Sequence, residues 1–230
     1  MDPALLSLIG TMLKGIGWVF LPFLVLPVLS LLLPKNKFLA GFQYSLIEMI
    51  DGFCMRLGEW VKWLLVALVV SVAFGVIALS IFGQAWTKFD ESSTYFHATV
   101  ILLGSAATLL AGQHVRVDIF YTRLQPKAKA LVDILGFYAL LIPFCLVLIW
   151  NAQNFVMLSW TSFEGSPESD GIQGIFILKT LVSIFALTLL MQGLAIASRA
   201  VLFLTDQPVP DLPEHIDPLF EEHEYHEAGL

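Results

Sequence analysis

Apolar residues fall in five long blocks, at 4–33, 61–83, 93–111, 131–157 and 174–204, divided by short polar connections. A helix needs about 20 predominantly apolar residues to cross the hydrocarbon core of a bilayer. In lipid each block must satisfy its own backbone hydrogen bonds, which leaves helix as the form open to segments of this length. The pattern predicts an all-α integral membrane protein with a four-helix transmembrane core over residues 61–204.

Residues 35–60 follow another rhythm. Leu39, Phe42, Leu46, Ile50, Phe53, Leu57 and Trp60 recur at spacings of three and four, with Ser45, Glu48, Gly52, Arg56 and Glu59 on the opposite stripe. Such a helix suits the headgroup plane, apolar face down. There is little soluble body for it to pack on, so we expect an interfacial amphipathic helix on the cytoplasmic side. Residues 1–34 form an additional N-terminal hydrophobic segment. Its stretch 15–33 is long enough to span, although Pro22 and Pro27 each remove a helical hydrogen bond. We read it as an extra span rather than a re-entrant segment, and not as a signal peptide, because a basic n-region is missing.

Cations in the connections orient the core. Residues 34–62 carry Lys35, Lys37, Arg56 and Lys62, and residues 112–130 carry Arg116, Arg123, Lys127 and Lys129. Residues 84–95 carry Lys88 alone, and 158–173 carry none. Rich and poor connections alternate, as the positive-inside rule requires of four spans whose two ends are both cytoplasmic.

Composition agrees: of 230 residues 57% are hydrophobic and 13% charged, with a mean hydropathy of +0.80. A soluble domain carries about 25% charged residues. The net charge of −7 is local, because residues 205–230 hold eight acids and no Lys or Arg, leaving the remainder at +1. That acidic tail is expected to be cytoplasmic and disordered. No basic patch supports a nucleic-acid role. Cys54 and Cys145 read as small buried apolar residues rather than a disulfide.

Few polar groups are candidates for chemistry. Residues 113–121 read Q-H-V-R-V-D-I-F-Y, placing His114, Arg116 and Asp118 at the end of a span. They suit a charged boundary in which Arg116 reaches lipid phosphate. Asp90 and Glu91 precede a span, where acids favour a helix amino terminus. Glu164, Glu168 and Asp170 lie in the turn-rich connection F-E-G-S-P-E-S-D-G beside Trp160 and Phe163. We read this connection as a solvated loop that faces a partner; its spacing matches no calcium-loop signature. Lys179 lies inside the last block, where it either snorkels to the headgroups or meets a carboxylate of a neighbouring subunit. His97 and His114 are not spaced as a haem pair, and His215, His223 and His226 could hold metal only adventitiously. Phosphate loops, nucleophile elbows, intramembrane carboxylate pairs and internal repeats are missing, so neither an enzyme nor a self-sufficient transporter is expected.

The run H-V-R-V-D-I-F-Y after L-L-G-S-A-A-T-L-L-A-G resembles the small permease subunit of TRAP (tripartite ATP-independent periplasmic) transporters, the DctQ-like family. Further resemblance follows in order: Asp90-Glu91-Ser92, Gln125-Pro126 with Lys127 and Lys129, Pro143-Phe144, Glu164-Gly165-Ser166 with Gly171, Lys179, and Gln192-Gly193. It covers about 61–203. Two features depart from the pattern: 81–84 read Ile-Phe-Gly-Gln where many members carry an Arg-aromatic pair, and the N-terminal segment lies outside the common four helices. The resemblance implies a multi-pass protein of the bacterial inner membrane, set among lipids beside a large membrane subunit that holds the sodium and substrate sites. This subunit would bind no cofactor. It would anchor the large subunit and help dock a periplasmic substrate-binding protein that captures an organic acid or related solute. The competing class is the membrane anchor of a redox or other enzyme complex, which a haem or quinone spectrum would reveal.

Overall fold

The computed structural model describes residues 22–83, 85–112 and 124–212. Among the described residues five helices follow one another: α1 (Pro22–Leu32), α2 (Lys37–Phe82), α3 (Thr87–Leu110), α4 (Pro126–Ser162) and α5 (Ile175–Leu204). The last four are each long and apolar enough to cross a membrane. The expected helical class therefore holds, and the apolar blocks locate all four core helices.

Local chemistry sets several boundaries. The Asn36 side-chain oxygen accepts from the N–H groups of Phe38 and Leu39, at 3.1 and 3.4 Å, and so caps α2. Gly83 ends that helix in the left-handed conformation. Pro126 opens α4, where its missing N–H leaves no intrahelical bond unmade. Within α4, residues Phe137–Leu141 form a π turn just before Pro143. Proline has no N–H to donate and its ring crowds the carbonyl four residues back; the wider turn lets the helix pass this point unbroken.

Two expectations need correction. The amphipathic segment 35–60 and the first span are not separate elements: α2 is one helix of 46 residues, about 69 Å long. No proline interrupts 57–63, and a break there would orphan backbone groups at two new helix ends. The first half of α2 also packs on its own chain, through Gln43, Leu46, Ile47, Ile50, Asp51 and Cys54. Of the expected apolar stripe only Leu46 and Ile50 are buried, whereas Phe42, Phe53 and Trp60 are exposed. The second correction concerns the tail. Its first residues fold back on the bundle: Gln207 Nε2 donates to the Pro34 carbonyl at 3.2 Å, and Val209 and Leu212 pack against the core. Residues 1–21 of the N-terminal segment and the tail from 213 lie outside the described residues.

Helix α5 is the axis of the bundle. It contacts α2, α3 and α4, and every residue from Gln192 to Leu202 is buried. Small side chains (Ala186, Gly193, Ala195, Ala197, Ser198 and Ala200) let its neighbours come close, which is how helices pack in the absence of a hydrophobic driving force between them. The closest fit is at Gly193, which sits under the π turn of α4. A Cβ there would overlap Leu141 and approach Phe137 to 2.9 Å. Cys54 and Cys145 are both buried free thiols in the same core, as their apolar contexts suggested.

Gly193→Leu should therefore destabilise the protein by about 1–3 kcal/mol through overpacking. Gly136→Ala, at a helical position with open space around it, should be neutral or stabilise by up to about 1 kcal/mol. Thermal unfolding in detergent checks both, and equal loss at the two sites would contradict the packing described.

Candidate functional site

Polar groups inside the bundle gather at two levels. The first joins the α4–α5 loop (163–174) to the start of α3. Glu91, on the second turn of α3, accepts from the Ser166 hydroxyl through one carboxylate oxygen and from the Ile172 N–H, at 2.6 Å, through the other. Gly171 belongs where it is because a Cβ would collide with Ser166 and the Glu91 carboxylate. Glu91 is thus a latch that ties the loop to α3, whereas helix-end charge accounts for Asp90, in the first turn.

The loop carboxylates are largely neutralised within the chain. Lys179 pairs with Glu164 at 2.5 Å, and its ammonium stands 4.2 Å from the centre of the Phe155 ring. Lys179 therefore meets a carboxylate of its own chain, neither alternative posed for it from sequence. The Lys179 hydrogen bond, joined by Ser159, holds the Glu164 carboxyl below the usual carboxylate range. Lys88 pairs with Asp170 at 3.0 Å, in an exposed contact. Trp160 donates its indole N–H to Thr180 at 2.8 Å and packs edge-on to Phe176, so it anchors α4 to α5. Glu168 has no ion pair among the described residues, and Phe163 is exposed with a positive φ of 47°. His114, Arg116 and Asp118 lie outside the described residues.

The second level lies at the opposite end of the bundle and was not foreseen. Asp51 of α2 accepts from Arg199 Nη2 at 2.7 Å and from Gln192 Nε2 at 2.9 Å, both on α5. Arg199 is 2% exposed and Asp51 is 6% exposed. The partners are 148 residues apart, so no local spacing announces them. A signal was nonetheless present: Arg199 interrupts the apolar block 174–204, and a cation so placed needs a partner.

Two expectations follow from this geometry. A buried pair is costly to break from one side, because the surviving charge is left without compensation. Asp51→Asn or Arg199→Met should each destabilise the bundle by about 3–5 kcal/mol, and Asp51→Leu combined with Arg199→Met by much less than their sum. Additive losses in a double-mutant cycle of melting curves would show the contact to be inert. At the other level Glu164 has a folded-state pKa below its unfolded value. Its contribution is present above the unfolded value and is lost as pH falls through the folded one. Hydrogen-exchange protection factors in 159–173, taken relative to the intrinsic rate at each pH, should fall on acidification below the ordinary carboxylate range, and Lys179→Met should remove that component of the pH dependence.

The geometry shows a helical membrane body with internally compensated charges, and comparison with known proteins places it. A family model described as "Tripartite ATP-independent periplasmic transporters, DctQ component" matches residues 68–202. No curated protein and no solved structure matches the chain. The matched stretch runs from the second half of α2 through α3 and α4 to Leu202 of α5, more than half of the 230 residues. It includes Glu91, Ser166, Gly171, Lys179 and Gln192-Gly193, the residues that latch the loop and seat α4 on α5. The chain belongs to the family of the DctQ component of tripartite ATP-independent periplasmic transporters.

Proposed function

We propose that this chain is the small membrane subunit of a sodium-coupled, binding-protein-dependent secondary transporter for organic acids or related solutes. It scaffolds the large transport subunit, which holds the sodium and substrate sites, and it helps dock the periplasmic binding protein. One observation carries the scaffold reading: the buried pair Asp51–Arg199 and the partly exposed pair Lys179–Glu164 at the loop each close within the chain. Such pairing stiffens a support, whereas a transport path keeps ionisable groups exposed to a cavity. The cation-rich connections support a reading with both ends of the core in the cytoplasm of a bacterial inner-membrane protein and the 163–174 loop on the periplasmic side.

Docking of the binding protein falls to the part of that loop the chain leaves open. With Glu164 and Asp170 paired, the exposed Phe163 and the carboxylate of Glu168 remain to meet an apolar and basic surface.

Reconstitution tests the central reading. The chain alone in liposomes, given a sodium gradient and the binding protein, should take up no organic acid; with the large subunit added, uptake should appear. Sodium-driven uptake by the chain alone would overturn the scaffold role. In a variant lacking Cys54 and Cys145, an impermeant thiol reagent should label Ser166→Cys in whole cells and spare Gln125→Cys. Glu168→Gln should slow association of the binding protein at low salt, by a margin that shrinks as ionic strength rises. An unchanged association rate at low salt would remove Glu168 from the docking face.

A further inference from the structure

Among the described residues helix α4 packs chiefly on α5, and it buries Cys145, Ala152 and Ser159. On a helical projection an outward face, separate from the buried one, carries Leu140, Phe144, Val147, Asn151, Asn154 and Leu158 at spacings of three and four, all of them exposed. The apolar members need only lipid. Asn151 and Asn154 do not fit that surrounding. The Asn151 amide donates to the Val147 carbonyl of its own helix at 2.7 Å, which leaves its second N–H and its carbonyl oxygen open. Asn154 makes no side-chain hydrogen bond among the described residues, although it carries two donors and an acceptor oxygen.

Depth makes these amides informative. Asn154 lies two turns from the end of α4 at Ser162, next to the Phe155 ring that receives Lys179, and Asn151 lies a turn deeper. Both belong to the loop-end half of the span. Hydrocarbon offers no hydrogen-bonding group, so amides there are expensive when facing lipid and cohesive when facing another helix. By contrast, the exposed positions Val69, Val70, Val76 and Ile77 in the loop-end half of α2 are aliphatic.

We infer that the outer face of α4, centred on Asn151 and Asn154 and flanked by Val147 and Leu158, docks a transmembrane helix of the large membrane subunit that presents amide or hydroxyl groups. This inference rests on the proposed function, since a partner spanning the membrane is what that reading supplies. Chemistry selects the occupant: a spanning helix with its own polar side chains can satisfy both amides at this depth, and the aliphatic residues around them form the dry rim of the contact. Val147, Asn151, Asn154 and Leu158 then form the seam, with α5 holding α4 from behind.

The test uses the assembled transporter in native membranes. The photo-crosslinker p-benzoylphenylalanine is placed at Asn151, Asn154 or Leu158, and as a control at Val70 or Ile77 of α2. Irradiation should give adducts with the large membrane subunit from the three α4 positions and not from the α2 positions. Asn151→Leu combined with Asn154→Leu, in protein that still runs as a monodisperse species, should retain about tenfold less large subunit on purification. Adducts with lipid only, or adducts the size of two copies of this chain, would overturn the inference. So would full retention of the large subunit by the double variant. Retention of the large subunit by the wild-type chain, with cross-links from another face, would sink the seam and leave the proposed function standing. If the wild-type chain retains no large subunit, the functional reading fails first and the seam with it.

Discussion

The second half of α5 is enclosed by the rest of the chain, and the other helices are arranged around that enclosure. In a membrane, apolar surface gains nothing by leaving lipid for another helix, so association rests on close contact and on polar groups that find each other. The run from Gln192 to Leu202 supplies both. Gly193 lets the π turn of α4 sit directly on the α5 backbone, and Gln192 and Arg199 reach Asp51 on α2. A helix without small residues would hold its neighbours off, and one without Arg199 would have no use for an acid on α2.

The two ion pairs divide the work along the bundle. Near the loop end, Lys179 and Glu164 fix the start of α5 to the loop, while Glu91 ties the same loop to α3. At the opposite end Asp51 and Arg199 hold the long α2 against α5 far beyond its most apolar stretch. This second contact holds the first half of α2 against the end of α5. An amphipathic helix gains by burying its apolar face in headgroups, but a break near residue 60 would orphan backbone groups and strip Arg199 of its counter-charge.

The same compensation bears on function. Charges within a membrane commonly mark a route for ions or protons. Among the described residues Asp51–Arg199 and Lys179–Glu164 pair within the chain, in line with the supporting role proposed above. The outward amides of α4 are polar groups in an apolar block that the chain itself leaves open, which fits the seam proposed for that face.

Periodicity and length alone determined the helical class and the four core spans, because bilayer thickness and backbone hydrogen bonding leave little choice over such segments. Order and spacing of short motifs, from Asp90-Glu91-Ser92 to Gln192-Gly193, already carried the family, which the match over 68–202 shows. Local pattern went astray on α2: hydrophobic spacing describes which face is apolar, while burial was decided by a partner 148 residues away. The carboxylates of the loop were legible as a group but not as pairs. Only the return of α5 beside α4 brings Lys179 to Glu164, and only the approach of the loop to α3 gives Glu91 its two donors. Contacts between distant segments depend on how helices of given length and curvature meet, and that geometry belongs to the folded bundle.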